Sequence, residues 1–504
     1  MNINVPESPS ERASYKHRYF AARRRELQQF QWRVEEGLAG YPVTLPVIHI
    51  WGIRGIGKSW LLQEIRQRYK FAKEPAVGKQ GTVCALIDFY QTRFSRWEPL
   101  AIANFLESIL QNIQEQLGEQ WNVISKESQA FQMELESMRT AEGNREASAL
   151  AECFVACISR LSETVVPLLL LDSTEVLGDD DFSWLESHLI EPLARTDRVI
   201  IVVAGRKEIP RWREFGVRQR LKVLELQPFS EEDTQEQLEK RGYDQKLGEI
   251  VHSLSFGLPY ANQILGESLY TFKPTKNFEE DYRAEVLALL GQVERELLRG
   301  IRSETQRNIL RTLSTLRKFN IESARELLVQ SLGEKYQDKG DIYYLRLFED
   351  LEDTNLVWWG TNQRGYVVGY PLRRIIGLRM QKGELPTFRQ RHAAAQKFYE
   401  VRAKKNPHDC GPTLLEALYH LSNTLVGEQR PDEMQQEIDG FLAQFLMPEN
   451  FTTDGADTFL HLLRRDSELQ NHRGVMPKPV YEHVVDKIRN FRDQIAGVES
   501  RESQ

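Results

Sequence analysis

Five short apolar runs mark the first half of the chain, at residues 46–51, 83–87, 165–171, 199–203 and 223–226. They are rich in Val, Ile and Leu and have polar or glycine residues at their ends, which predicts buried strands; helical spacing between them predicts parallel order with crossovers. After the first run, Leu61, Ile65 and Tyr69 recur at i, i+4 and i+8, the spacing of a helix with one buried face. The stretch 99–164 is longer than one crossover helix and predicts an additional helix against the sheet.

The second half changes period. Apolar residues at Ile309, Leu310, Leu313 and Leu316, then helical patterns over 321–332 and 342–351, precede two strand patterns at 356–359 and 366–368. A Thr361-Asn362-Gln363-Arg364-Gly365 turn joins the strands, and three helices followed by a hairpin predict a winged helix. From 413 to 495 the pattern is helical hairpins interrupted at 427–431, 448–455 and 477–479, with no sustained repeat of about 34 residues. The expected fold class is α/β: a parallel sheet (1–225), a small helical domain (226–290), a winged helix (291–384) and a helical C-terminal region (385–504).

Composition narrows this further. A chain of 504 residues with 41 % hydrophobic and 28 % charged residues has the makings of several packed cores rather than a disordered or fibrous chain. The net charge of −7 excludes a global basic field, so any site for a polyanion must be local. Aliphatic runs fall far short of the roughly 18 residues that span a bilayer, and Met1 to Glu7 lack a basic-then-apolar leader; we expect a cytoplasmic protein with no membrane partner. Four cysteines form no disulfide framework, and Cys153 and Cys157, one turn apart, read as small core residues.

The chemistry enters at Gly52-Ile53-Arg54-Gly55-Ile56-Gly57-Lys58-Ser59, set between the first strand and the first helix. GxxxxGKS in that setting is a phosphate-binding P-loop. Glycines let backbone N–H groups and the helix N-terminus face phosphate, Lys58 supplies a cation for the β and γ oxygens, and Ser59 a hydroxyl for Mg²⁺. His49, within the strand, reads as a core residue. The run 165–171 delivers Asp172 to a strand end, the placement of a Walker B acid that holds Mg²⁺. Ser173 stands where an adjacent acid commonly activates water; Glu175 is the next acid, and slow hydrolysis is expected. Arg206, directly after the fourth strand, stands where it can reach a γ-phosphate.

These motifs resemble the STAND class of signal-transduction P-loop ATPases, relatives of NB-ARC and NACHT switch modules and of AAA+ ATPases. Phe20-Ala21-Ala22-Arg23-Arg24-Arg25-Glu26-Leu27 is similar to the F-x-G-R-x-x-E-L element that contacts adenine, with Ala22 where glycine is usual. LLLLDSTEVL (168–177) resembles the family's Walker B, and Ala204-Gly205-Arg206 its sensor 1. Leu226-Gln227-Pro228-Phe229-Ser230 resembles the start of the small helical domain; from the residues alone, Ser230 and Asp233 read as a helix cap. Phe256-Gly257-Leu258-Pro259-Tyr260 resembles the GLPL motif, which implies Pro259 near the base.

Two positions depart from the family. Trp60 follows Ser59 where a small hydroxyl residue often contacts the α-phosphate, and Tyr370 is nearest to the place of the winged helix's switch histidine. The resemblance implies ATP or ADP with Mg²⁺; slow turnover by Lys58, Asp172, Glu175 and Arg206; and nucleotide contacts from Phe20, Arg23, Gly52, Gly55, Ile56, Gly57, Lys58, Ser59, Trp60 and Pro259. It further implies a switch in a prokaryotic signalling or defence pathway, with a protein effector in trans and self-association on activation.

Two alternatives stand beside it: a DNA-acting ATPase of the origin-recognition or transposition-regulator kind, and a scaffold that holds nucleotide with little turnover. The third helix of the winged helix carries Asp341, Glu349, Asp350, Glu352 and Asp353 against Arg346, which opposes major-groove binding. Residues 373–405 carry ten basic side chains against Glu384 and Glu400, either a solvated face or a nucleic-acid contact.

Overall fold

Five strands, β1 (Val47–Trp51), β2 (Gly81–Asp88), β3 (Val165–Asp172), β4 (Ile200–Gly205) and β5 (Leu221–Glu225), form one parallel sheet in the order β2-β3-β4-β1-β5. This computed structural model describes residues 15–70, 81–90, 98–140, 147–206, 208–209, 212–272, 278–360, 364–405, 410–426, 430–448, 451–470 and 475–502. By contact density the chain divides into two units, one of residues 1–252 and 257–272, the other of 253–256 and 273–504.

In the first unit β3 is buried along its whole length, and alternate residues serve opposite faces. Leu169 and Leu171 join Ala85, Ile87, Ile201 and Val203 in a core shared with the helices Pro99–Leu117, Ser125–Thr140 and Ser148–Leu161. The stretch after residue 99 therefore holds three helices where one extra was expected. Pro99 fits the first turn, Ile102, Phe105, Leu106, Ile109 and Ile113 line the buried stripe, and Gly118 ends it. Cys157 is buried in the same core and Cys153 packs at its edge. On the opposite side the helix Arg24–Leu38 approaches β3 so closely that a Cβ at Gly37 would lie 2.9 Å from Val166. His49 is buried, edge-on to Trp212, and accepts from the Ile209 N–H at 3.4 Å, as a core residue would.

Parallel order sends every strand's C-terminal end to the same edge. Asp88 and Asp172 stand side by side in the β2–β3 register, and Trp51 is opposite Gly205 in β1–β4. The P-loop, the β3 acid and the residue after β4 are thereby brought together by topology. After β5 come the helices Glu231–Lys240, Gly248–Ser255 and Pro259–Leu269. The expected cap is present as a capping box, with the Asp233 N–H donating to Ser230 Oγ at 3.1 Å.

The second unit opens with the helices Phe278–Asp281 and Arg283–Leu297 and contains the expected winged helix: Glu304–Leu313, Ile321–Leu332, Asp341–Glu352 and the antiparallel pair β6 (Val357–Gly360) and β7 (Gly365–Val368). Residues 361–363 of the turn lie outside the described residues. Phe319 pairs with Tyr366 by two backbone hydrogen bonds of 2.8 Å, tying the loop before the second helix to the wing. Phe319, Phe348 and Tyr366 pack together there. Six longer helices follow: Tyr370–Gly383, Leu385–Lys405, Gly411–Thr424, Pro431–Ala443, Thr453–Arg465 and Lys478–Glu502. Among the described residues no helix is long and apolar enough to cross a membrane.

Candidate functional site

At the C-terminal edge of the sheet the chain from β1 to the helix Lys58–Tyr69 forms the loop predicted for phosphate. Gly55 and Gly57 have φ of +82° and +100°, in the left-handed region open to glycine. Gly55 is also crowded: a Cβ would lie 2.8 Å from Tyr260 Cβ, and the Tyr260 N–H donates to the Gly55 carbonyl at 3.1 Å. Beside Gly57 there is open space. Lys58 is buried and its ammonium donates to the carbonyls of Gly52 at 2.6 Å and Ile53 at 3.2 Å. Burial lowers it from its ordinary value to about 8, while Glu175 and Asp172 pull the other way.

Asp172 is buried at the end of β3, and burial pushes its carboxyl up to about 6. A hydrogen bond with Ser59 opposes that rise, as does one from the Ser173 N–H, which Oδ1 accepts at 2.8 Å. Neighbouring Asp88 adds to it. Ser59 and Asp172, expected to hold Mg²⁺ together, are thus already in contact. Ser173 sits at φ +62°, a strained value for a residue with a Cβ. The Thr174 hydroxyl bonds the Ala204 carbonyl at 3.0 Å, clamping the end of β3 to that of β4.

Glu175 and Arg206 meet across this clamp, Arg206 Nε lying 2.7 Å from Glu175 Oε1. The Glu175 side chain is only 7 % exposed, and its Oε2 is buried without a hydrogen-bond partner among the described residues. A cleft of about 230 Å³ runs over these groups. It is lined by Gly55, Gly57, Lys58, Ser59, Trp60, Asp172, Glu175 and Arg206, by Phe20 and Arg23 of the N-terminal segment, and by Pro259. Of the residues expected at the site, Gly52 and Ile56 are not among those lining it. Gly52 anchors Lys58, and the Ile56 carbonyl accepts from Arg23 Nη2 at 2.7 Å.

Arg23 is a tie between segments. Its other Nη donates to the Gln227 carbonyl at 2.7 Å, and its guanidinium lies 4.7 Å from the centre of the Phe229 ring. Ala22 has φ +58°, which explains why glycine suits that place in the resembling element. Phe20 is buried and gives its carbonyl to Lys240 at 2.6 Å. The Pro259 carbonyl accepts from Gln237 Nε2 at 2.9 Å. Gly257 is required by space, since a Cβ would fall 2.1 Å from the Phe229 carbonyl oxygen.

Tyr19, Arg54, Gln237, Arg241, Tyr260 and Gln263 also line the cleft. None was expected from the sequence except Arg54 and Tyr260, which lay inside motifs without an assigned role. Arg241 stands 5.1 Å from the Tyr19 ring centre and 5.6 Å from that of Trp60, and donates to Gln263 Oε1 at 3.0 Å. Trp60 thus borders the cleft through an aromatic–cation stack.

The parallel sheet, the P-loop on β1 and the acid on β3 with β4 between them give the fold of a P-loop ATPase, with winged helix attached. No family model matches the chain, and no curated protein does. Among solved structures it is similar to the Walker-type ATPase PABY2304 of Pyrococcus abyssi, with 16 % identity over 72 % of this chain and 98 % of that one, TM-score 0.45. The Aeropyrum pernix ORC2 protein matches with 14 % identity over 73 % and 98 %, TM-score 0.41. A STAND protein with a tetratricopeptide repeat sensor, PH0952 of Pyrococcus horikoshii, matches with 14 % identity over 95 % of this chain and 65 % of its own, TM-score 0.30. At these values the likeness carries no residue-by-residue correspondence.

Proposed function

We propose that the chain is an ATP-dependent molecular switch that hydrolyses ATP slowly, and that the Glu175–Arg206 pair is its sensing element. The observation that carries this reading is that pair: the next acid along the chain after Asp172 and the arginine placed to meet a γ-phosphate neutralise each other, with one buried carboxylate oxygen unsatisfied among the described residues. Such an arrangement has two states, since Arg206 can pair with Glu175 or with a new anion but not fully with both.

The cleft fits a nucleotide with Mg²⁺. Open space at Gly57, a buried ammonium held only by carbonyls, and the Ser59–Asp172 contact form a donor set suited to phosphate and a hard cation. Bound Mg²⁺ would neutralise phosphate charge and orient the β and γ oxygens. Lys58 would hold those oxygens, Ser59 and Asp172 the metal, and Phe20, Trp60 and Pro259 the nucleoside side of the cleft. Glu175 would accept a proton from water once Arg206 leaves it; Ser173 has no basic group for that task.

The origin-recognition alternative shares the sheet, the P-loop and the winged helix, and what counts against it lies outside the cleft. The winged helix's third helix is acidic, and Arg373, Arg374, Arg379, Lys382 and Arg402 of the basic stretch are each paired with a carboxylate. We assign four functional parts, 1–225, 226–290, 291–384 and 385–504, with output through a protein partner or self-association. The test is to compare limited proteolysis and light scattering with ADP, with ATP and with a non-hydrolysable analogue. Distinct ATP patterns that vanish in Arg206→Ala support the switch; identical patterns in all three nucleotides, even with a cognate trigger, would replace it with the scaffold.

A further inference from the structure

The second unit contains a cavity of about 310 Å³ between the winged helix and the helices that follow it, separate from the nucleotide cleft. Among the described residues its lining is cationic: Arg311, Arg373 and Arg374 stand there with a single carboxylate, Glu279, which is itself paired with Lys382. The acids that balance these arginines lie behind them. Glu468 is shared by Arg373 and Arg374, at 3.0 Å from the latter, Glu294 is shared by Arg311 at 2.6 Å and Arg379 at 2.9 Å, and Arg311 also pairs with Glu304 at 2.9 Å, outside the lining. Neither Glu468 nor Glu294 lines the cavity. The neighbouring Arg317 with Glu416 and Asp466 brings the wider network towards neutrality, yet those residues also lie outside the lining. Charge is therefore separated, with guanidinium groups at the wall and carboxylates one layer back.

That layering costs desolvation, because the Arg373 and Arg374 side chains are 5 % and 15 % exposed. Holding two guanidiniums on one carboxylate leaves N–H donors in excess of acceptors, and Arg forks match phosphate oxygens in pairs. The rest of the wall is of a different kind. Phe388 is buried and Phe256 half-buried, the latter with the Arg374 guanidinium 4.9 Å from its ring centre. The wall therefore offers guanidinium donors for an anion and ring faces for an apolar body, and the volume is that of a small-ligand site.

We propose that this cavity binds a small organic phosphate, with its phosphoryl group on Arg311, Arg373 and Arg374 and its apolar part against Phe256 and Phe388. The site is distinct from the P-loop and would give the unit a ligand of its own, independent of nucleotide.

Phenyl phosphate, inorganic phosphate and citrate are titrated calorimetrically into the full chain, and phenyl phosphate into Lys58→Ala, Arg311→Gln, Arg374→Gln and Gln381→Glu, with a melting curve for each variant. Gln381 lines the cavity and makes none of the ion pairs above, so its change to Glu adds negative charge without dismantling the network. The expected result is phenyl phosphate binding that survives Lys58→Ala and weakens about ten-fold or more in each of the other three variants. Inorganic phosphate and citrate should both bind more weakly than phenyl phosphate. Binding abolished by Lys58→Ala would place the ligand in the P-loop and overturn the proposal. Unchanged affinity in Gln381→Glu would overturn it even if an arginine variant failed to fold, and citrate binding as tightly as phenyl phosphate would overturn the assignment to phosphate.

Discussion

Breaking the Glu175–Arg206 pair from either side should move nucleotide preference in opposite directions. Arg206 Nε lies 2.7 Å from Glu175 Oε1, with the arginine side chain 24 % exposed and the glutamate 7 %. A charged hydrogen bond of this kind contributes roughly 1.5–3 kcal/mol, and partial exposure of Arg206 brings the figure down to about 1–2 kcal/mol. Engagement of a γ-phosphate by Arg206 must first give up that contact. Glu175→Gln removes most of the competition, so it should bind ATP more tightly than wild type by about 5- to 30-fold, the factor that 1–2 kcal/mol represents. ADP affinity should hardly change, because ADP lacks the group that Arg206 would meet. Arg206→Ala should do the reverse: near-normal ADP binding and an ATP-to-ADP preference reduced by a similar factor. The double variant should match Arg206→Ala, since Glu175→Gln acts through Arg206. Fluorescence titrations of all four proteins with ADP and a non-hydrolysable ATP analogue, both with Mg²⁺, give the affinities. Equal effects on ADP and ATP in Arg206→Ala, or no gain in ATP preference in Glu175→Gln, would refute the argument.

The other expectations are shorter. Lys58→Met should abolish ATP-dependent stabilisation in a melting assay, yet raise the ligand-free midpoint at pH 7. A lysine near 8 when folded and near 10.5 when unfolded penalises the fold fully below pH 8 and less as pH rises to 10.5, so wild type should also gain stability over that interval while Lys58→Met does not. Asp172, raised to about 6, must lose its proton to hold Mg²⁺; Mg²⁺-dependent ATP binding measured from pH 5 to 8 should fall below pH 6 and be absent throughout in Asp172→Asn. Ala22→Gly, at φ +58°, should leave the melting midpoint level or raise it, strain relief of about 1 kcal/mol being partly offset by unfolded-state entropy, whereas Ala22→Val should lower it. Gly257→Ala, which would drive a Cβ to 2.1 Å from the Phe229 carbonyl oxygen, should lower both the melting midpoint and ATP affinity.

What could be read in advance follows the range over which each signal acts. The P-loop, the Walker B strand and the Ser230 cap are local: their residues lie within a few positions of one another, and strand periodicity places them at the same sheet edge. The wing was legible for the same reason. Arg241 was not, because it meets Trp60 across about 180 positions of chain, and no periodicity links the end of one helix to the first turn of another that distant. The ion pairs of the basic stretch were hidden for the complementary reason. Seen as composition, residues 373–405 look like a face for a polyanion. In the fold, Arg373 and Arg374 turn to Glu468 and Arg379 to Glu294, acids outside the stretch at separations of 85 to 95 residues. A charge run reports what its residues could attract, while packing decides which partner each one reaches. That distinction also bears on function: Arg373, Arg374 and Arg379, each held by a protein carboxylate, would meet nucleic acid at a surface only after those pairs break. Of the basic residues in that stretch, Arg373 and Arg374 line the cavity of the helical unit, where the proposed phosphate would meet them.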